Sequence, residues 1–381
     1  MSAAAAVTPP PTQGVWEGEV GGSRVLFNRN DRRLHVLNAS AASLWDGLQT
    51  PTTVATLTAD IAQSFEVDPA SIRMEVERTI DRFVADGLAG SIDEPSAPIT
   101  GVVSGPVGAP AVVIGAMGAT IGLFVEAPMV RAALERVTAP LATVGVHDGW
   151  IAVDEDAGAW TVTSSLGASA RTGSRLGGLL RVISEINAVA VAACPERLVL
   201  HAGAVTSGAG AVLLPGASNR GKSTLTTALV RSGFGYLTDE AAAVDADRVV
   251  HPFAKAIALD PGSFPLFGDL APTPTNPVEV AMARREWHVP PADIGAVDGP
   301  TPVRAVVCPA WRAGVSTRLA RVPGAEALHM LLGDAFDFDR GGAPVFDILT
   351  DLVRSVPVYR LRYSELSDAV RVVGRVLDAA P

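Results

Sequence analysis

The stretch Gly216-Ala217-Ser218-Asn219-Arg220-Gly221-Lys222-Ser223-Thr224 joins two glycines, an ammonium and a run of hydroxyls at Walker A spacing. Such a loop does phosphate chemistry. Its glycines let backbone N–H groups close around phosphate oxygens, its lysine reaches the outer phosphates, and its serine hydroxyl can ligate the magnesium that travels with a nucleotide. All nine residues are therefore candidate nucleotide contacts, with Ser223 a candidate metal ligand. Lys222 is one of only two lysines among thirty basic side chains. A compact ammonium, in a chain that otherwise uses arginine, suits a point charge on phosphate. The other lysine, Lys255, has two readings: an ordinary exposed side chain, or a second cation contacting phosphate or acceptor. Asp239-Glu240 follows a short strand signal at 236–238, and acids at the carboxyl end of a strand beside a phosphate loop suit an α/β nucleotide site. The competing reading of this pair is a helix cap, because acids favour helix N-termini.

The elements needed to position these groups are legible around them. Residues 211–214 read as a buried strand leading into the loop, and 224–230 as a helix opening after it, so bound phosphates would meet a helix N-terminus. A further strand signal lies at 197–201. Upstream, 111–115, 119–125, 150–153 and 160–163 read as strands, with helical spacing at 129–137 and 179–191. That middle region shows no catalytic constellation.

The N-terminal region has a different pattern. Three short strand signals at 15–20, 24–27 and 33–37 are separated by Gly21-Gly22 and by the turn residues 28–31. Helical spacing follows at 41–48, 54–65 and 71–88, with Ser71 the expected N-cap and Gly87 near the stop. Three strands and then three helices make a small α+β, winged-helix-like plan.

Composition excludes several classes. A hydrophobic fraction of 48% with 18% charged residues belongs to a folding chain, and 381 residues suffice for two or three cores. The net charge of −10 argues against a general nucleic-acid or anionic-membrane surface, so an anionic ligand must be held locally. DNA binding by the winged-helix-like part is disfavoured further, since 14–92 holds seven arginines against eleven acids. Cys194 and Cys308 lack metal-like spacing, which makes a reducing cytoplasm the simplest compartment. The uncharged stretch 95–125 is long enough to span a bilayer, but its four prolines and six glycines read as a linker into buried strands, and no membrane span is expected. The expected division is a flexible tail at 1–13, the winged-helix-like domain at 14–92, linker and scaffold at 93–192, and an α/β nucleotide-binding domain at 193–381. Homo-oligomer formation stays open.

Two resemblances extend this reading. The run Leu34-His35-Val36-Leu37-Asn38-Ala39-Ser40-Ala41-Ala42-Ser43-Leu44-Trp45-Asp46-Gly47, with the helices after it, resembles the PqqD-like peptide-recognition domain. That resemblance implies that the leader of a ribosomally made precursor peptide adds as a strand between the 33–37 strand and the 71–88 helix, a mode that pairs backbone hydrogen bonds with side-chain pockets. A winged helix used only for packing or for DNA is the competing reading. Downstream, Leu200-His201-Ala202-Gly203-Ala204-Val205, Leu213-Leu214-Pro215-Gly216 through Ser223, Gly233-Phe234-Gly235-Tyr236-Leu237-Thr238-Asp239-Glu240 and Pro252-Phe253-Ala254-Lys255 resemble the HPr kinase/phosphorylase-like family, as does Val356-Pro357-Val358-Tyr359-Arg360-Leu361.

The second resemblance implies a P-loop kinase using ATP and Mg2+. In that scheme Lys222 holds the outer phosphates and Ser223 ligates magnesium. Asp239 takes the proton of an attacking hydroxyl, His201 tunes it, and Glu240 binds metal directly or through water. A satisfied core histidine is the competing reading of His201. Arg340-Gly341-Gly342 is too short to match the glycine motif of the phosphorolytic members, so reversal by phosphate is not expected. Together the resemblances imply a Ser/Thr-directed peptide kinase of peptide natural-product maturation. A small-molecule hydroxyl kinase and a non-catalytic peptide-binding adaptor are the alternatives.

Overall fold

A computed structural model describes residues 8–90, 105–156, 159–167, 169–216, 221–336 and 338–379. It is a mixed α/β protein with several sheets and, among the described residues, ten α-helices. The chain divides into two compact units, Met1–Ile99 with Gly324–His329, and Thr100–Pro323 with Met330–Pro381.

In the first unit β1 (Val15–Val20), β2 (Ser23–Asn28) and β3 (Arg33–Leu37) form an antiparallel sheet in which β3 is an edge. Gly21 and Gly22 close the first hairpin at φ 60 and 76, the left-handed pair that a two-residue turn between twisted strands requires. Helices α1 (Ala39–Leu48), α2 (Val54–Ser64) and α3 (Pro69–Ala85) follow. Leu26, Leu44, Trp45, Leu57, Ile80 and Phe83 build the core of this unit, with Trp45 edge-on to Phe83. The expected N-cap at Ser71 is corrected to Asp68, whose carboxylate accepts from Ala70 N at 3.2 Å. Pro69 supplies a preset φ at the first helical position, so the helix starts three residues earlier than an N-cap at Ser71 implies. Its body ends at Ala85, and Gly87 lies beyond it at φ 66. The expected tail at 1–13 is corrected in part: Thr8 and Thr12 are buried and donate backbone hydrogen bonds to Thr52 O and Leu88 O. Residues 1–7 lie outside the described residues.

The second unit opens with β4 (Val112–Ala116), β5 (Ala119–Val125), α4 (Pro128–Thr138), β6 (Ala142–Thr143), β7 (Gly149–Asp156), β8 (Ala159–Ser164), β9 (Ser169–Thr172) and α5 (Arg175–Ala192). Its strands form one six-stranded sheet, β6-β4-β5-β7-β8-β9. Residues 95–104 of the expected linker 95–125 lie outside the described residues, whereas its apolar end forms β4 and β5. Among the described residues no helix is long and apolar enough to cross a membrane.

Then come β10 (Leu198–Ser207), β11 (Gly210–Pro215), α6 (Lys222–Arg231), β12 (Gly235–Thr238), β13 (Ala241–Val244), β14 (Val249–His251), β15 (Ile257–Leu259), α7 (Pro277–Met282), β16 (Trp287–Val289), β17 (Thr301–Trp311) and β18 (Arg318–Arg321). The chain ends with α8 (Gly324–Gly333), α9 (Phe338–Ser355), β19 (Val358–Tyr363) and α10 (Leu366–Asp378). An eight-stranded sheet runs β11-β10-β13-β14-β17-β19-β18, with β12 on β10 and β11 paired parallel to β17. β19 is also parallel to β17, so β11, β17 and β19 point their carboxyl ends the same way. One hydrophobic core joins residues from both sheets, including Ile121, Ile151 and Leu179 with Leu214, Leu225 and Val307.

Candidate functional site

β11 is wholly buried and delivers Pro215 and Gly216 to the end of the sheet, where the chain enters the loop. Ala217, Ser218, Asn219 and Arg220 lie outside the described residues. The chain resumes at Gly221, whose φ of 83 is the left-handed conformation from which α6 begins at Lys222. No side chain caps α6, so its first backbone N–H groups point into the loop. Lys222 is buried and its Nζ donates back to Gly216 O. Burial pulls the Lys222 pKa below 10.5, against the raising fields of Glu240, Asp334 and Asp239.

Asp239 and Glu240 form the corner between β12 and β13. β10 pairs with β12 through Ala204 and Thr238 and with β13 through His201 and Ala241, which fixes that corner beside His201. Thr238 Oγ1 accepts from Glu240 N and Ala241 N at 3.2 and 3.3 Å and holds the turn. The structure therefore gives the acid pair a strand-corner setting rather than a helix cap. Asp239 is 3% exposed and accepts from three donors: Ser223 Oγ at 3.0 Å, Ala258 N at 3.2 Å and Tyr236 OH at 3.1 Å. Ser223 and Asp239, sixteen residues apart in sequence, are thus in direct contact.

Lys255 joins the same cluster. It is 3% exposed, which overturns the ordinary-surface reading, and its Nζ lies 3.3 Å from Glu240 Oε2 and 3.7 Å from Asp239 Oδ1. Burial opposes its charge, but Asp239, Glu240 and Glu286 outweigh burial and hold its pKa above 10.5. Glu286 is itself held below its ordinary carboxylate range by a hydrogen bond with buried His288, which outweighs burial. Tyr236 is missing from the candidate list drawn from sequence. Burial and the Asp239 charge push its phenol well above 10.0, so it remains a neutral donor joining Asp239 Oδ1 to Lys255 O. Its signal in the sequence is rarity, since the chain has only three tyrosines.

His201 is half-buried, and its Nε2 lies 3.9 Å from Glu240 Oε1, so its near acid is Glu240. Burial and the Lys222 ammonium lower its pKa below 6.5, against Glu240 and Asp239. An NMR pH titration is expected to place the His201 midpoint below 6.5, and a midpoint at or above 6.5 contradicts this electrostatic balance. The unfolded chain takes up this proton first on acidification. The stability tied to the neutral imidazole is therefore complete above 6.5 and is lost as pH falls through the lower folded value.

Thr224 Oγ1 lies 2.8 Å from Ser263 Oγ, on the side of the loop where Gly221, Trp311, Tyr363 and Leu266 help line a cavity of about 690 Å³. Its aromatic and apolar walls suit a nucleoside. Ser223, Asp239 and Glu240 gather a hydroxyl and two carboxylates next to the loop, an oxygen donor set that fits Mg2+, which takes few protein ligands and completes its shell with phosphate and water. Among the described residues no group of three or more His, Cys, Asp or Glu side chains is arranged to hold a metal ion.

The first unit presents a separate site. The free edge of β3 and the face of α3 border a cavity of about 370 Å³, lined by His35, Leu37, Thr79, Arg82, Phe83 and others. Val36 on the edge strand and Val84 on the helix are exposed apolar residues, 51% and 46% accessible. Residues 23–89 match the family described as Coenzyme PQQ synthesis protein D (PqqD). This segment is a PqqD-like domain. Such a domain indicates binding of a precursor peptide in the maturation of ribosomally made peptides. No curated protein matches the chain. In the PqqD-like domain the free N–H and C=O groups of β3 are available to an added strand, and the neighbouring cavity offers mixed apolar and charged walls. The strand and helix named for the leader in the sequence are β3 (Arg33–Leu37) and α3, whose body runs Pro69–Ala85 rather than 71–88.

Proposed function

We propose that the chain is an ATP-dependent kinase that holds a ribosomal precursor peptide by its leader and phosphorylates a serine or threonine hydroxyl in the tethered core. The observation that carries this reading is the contact of Ser223 and Lys255 with the buried carboxylate of Asp239, at the end of the strand–loop–helix that holds Lys222. In the reaction the acceptor oxygen bonds to the γ-phosphorus of ATP, the bond from that phosphorus to the β,γ-bridging oxygen breaks, and ADP leaves. Asp239 takes the hydroxyl proton at a carboxylate oxygen, while Tyr236 and Ala258 hold the carboxylate in place. Lys222 offsets charge on the outer phosphates, and Lys255 keeps a second positive charge beside the base. Ser223 with Asp239 or Glu240 would hold a magnesium ion, which would neutralise phosphate charge. Burial of these groups strengthens each interaction over its value in water. His201 is a positioning residue beside Glu240.

Docking the leader on the PqqD-like domain raises the effective concentration of the acceptor, so the catalytic cleft can bind core residues weakly. Boundaries at 14–92 for docking and 193–381 for transfer follow from this reading, with 93–192 as scaffold. Intact-mass measurement of a candidate precursor incubated with the protein, ATP and Mg2+ is expected to show a gain of one phosphate. A peptide that binds through its leader yet keeps its mass would replace the kinase reading with a non-catalytic adaptor.

A further inference from the structure

A further cavity, of about 330 Å³, is bordered by Pro215 and Gly216 before the loop, whereas the apolar one is bordered by Gly221 and Thr224 after it. Its walls include Arg312, Arg360, Arg362 and Asp334. These arginines are assembled by strand pairing. Cys308 lies opposite Arg360 and Ala310 opposite Arg362 across β17 and β19, and Arg318 on edge strand β18 lies opposite Arg362. With a two-residue period, 308 and 310 share a face of the sheet with 360, 362 and 318, and Arg312 follows directly after β17, its backbone N–H donating to Tyr363 O. Small Cys308 and Ala310 make the floor, and long cationic side chains surround it. Asp334 is the one acid in the wall, so the lining is cationic in a chain of net charge −10.

Burial, with the Asp334 charge, pushes the Cys308 thiol up to about 12, which leaves it without a useful thiolate fraction. Gly216 at its border ties the cavity to Lys222. Lys222 Nζ reaches back to Gly216 O, and the lysine of such a loop meets the outer phosphates, whereas the apolar cavity starts from Gly221 and Thr224. A group seated at the Gly216 end is therefore next to the phosphate being transferred.

Resting on the kinase reading, we infer that this cavity seats an acidic segment of the acceptor peptide, with Arg312 and Arg362 holding carboxylates that flank the hydroxyl to be phosphorylated and Arg360, which donates to Met330 Sδ, adding positive charge to the wall. Guanidinium groups pair with carboxylates through two parallel N–H donors, and this geometry fixes the segment as well as attracting it. A peptide is the occupant favoured over nucleic acid. The chain as a whole is acidic, the cationic surface is confined to one cavity, and the same chain carries a PqqD-like domain.

The test uses the full chain and three labelled probes: a serine nonapeptide flanked by aspartates, its asparagine-flanked counterpart, and a fluorescent ATP analogue. Wild type is expected to bind the aspartate peptide about tenfold more tightly than the asparagine peptide, with the preference falling as salt is raised. In an Arg312→Ala/Arg362→Ala variant that preference should disappear while ATP-analogue affinity is kept. Both arginines are exposed, so the variant should melt with the wild type. Equal binding of the two peptides by wild type overturns the inference. So does a variant that loses the ATP analogue and keeps its peptide preference, because the arginines then serve the nucleotide. Arginine-dependent binding of the acidic peptide by a wild type that binds no ATP analogue upholds the cavity and removes the kinase reading instead.

Discussion

Asp239→Asn is expected to lower phosphate transfer by about 10²- to 10⁴-fold while leaving nucleotide affinity within a few-fold of wild type. The amide matches the carboxylate in shape: its oxygen can still accept from Ser223 Oγ and Ala258 N, while its NH2 donates to Tyr236 OH, which can turn its own proton to Lys255 O. What it loses is a basic oxygen for the acceptor proton and the negative charge opposite Lys255. Single-turnover transfer and equilibrium binding of an ATP analogue, measured on the same preparation, separate the two effects. Transfer within tenfold of wild type would remove Asp239 from the role of base.

The second large effect is on stability. Lys255→Met strips the ammonium from a cluster in which Lys255 and Asp239 are each 3% exposed, leaving a buried carboxylate without its cation. Removing one partner of a buried pair costs about 3–5 kcal/mol. For a unit of this size that lowers the melting temperature by about ten degrees. Because the folded environment holds the Lys255 pKa above its ordinary 10.5, the stabilisation is intact below 10.5 and is lost as pH rises through the folded value. The gap between wild type and variant should accordingly be constant near neutrality and narrow in strongly alkaline solution. Adding Asp239→Asn to Lys255→Met should cost less than the sum of the two single changes, since neither buried charge is then left without the other. Strict additivity in thermal melts would show that the two groups are not coupled.

Local chemistry was readable where it is set by neighbours in sequence. Gly21-Gly22 marks a hairpin because two successive left-handed residues exclude most side chains, and both adopt positive φ. The apolar run before Gly216 and the helix after Gly221 follow the same logic of period and turn, and the structure places both. The start of α3 was misplaced because Ser71 and Asp68 are both competent caps, and the choice fell to Pro69, whose preset φ starts the helix directly after Asp68. Lys255 was ambiguous for a different reason. Lysine is exposed by default, and only the folded chain shows that two acids offset its burial.

Residue types and short-range spacing alone determined the phosphate-loop pattern, the acid pair after a strand and the three-strand, three-helix plan of the PqqD-like domain. These depend on hydrogen-bonding capacity, ring constraints and hydrophobic period within a few residues of chain. Tertiary structure alone decided that Tyr236 and Lys255 meet Asp239 and that Arg318, Arg360 and Arg362 share one sheet face. Those groups come together through strand pairings between distant segments, and the register of such a pairing is fixed by packing of the whole sheet rather than by any local run of residues.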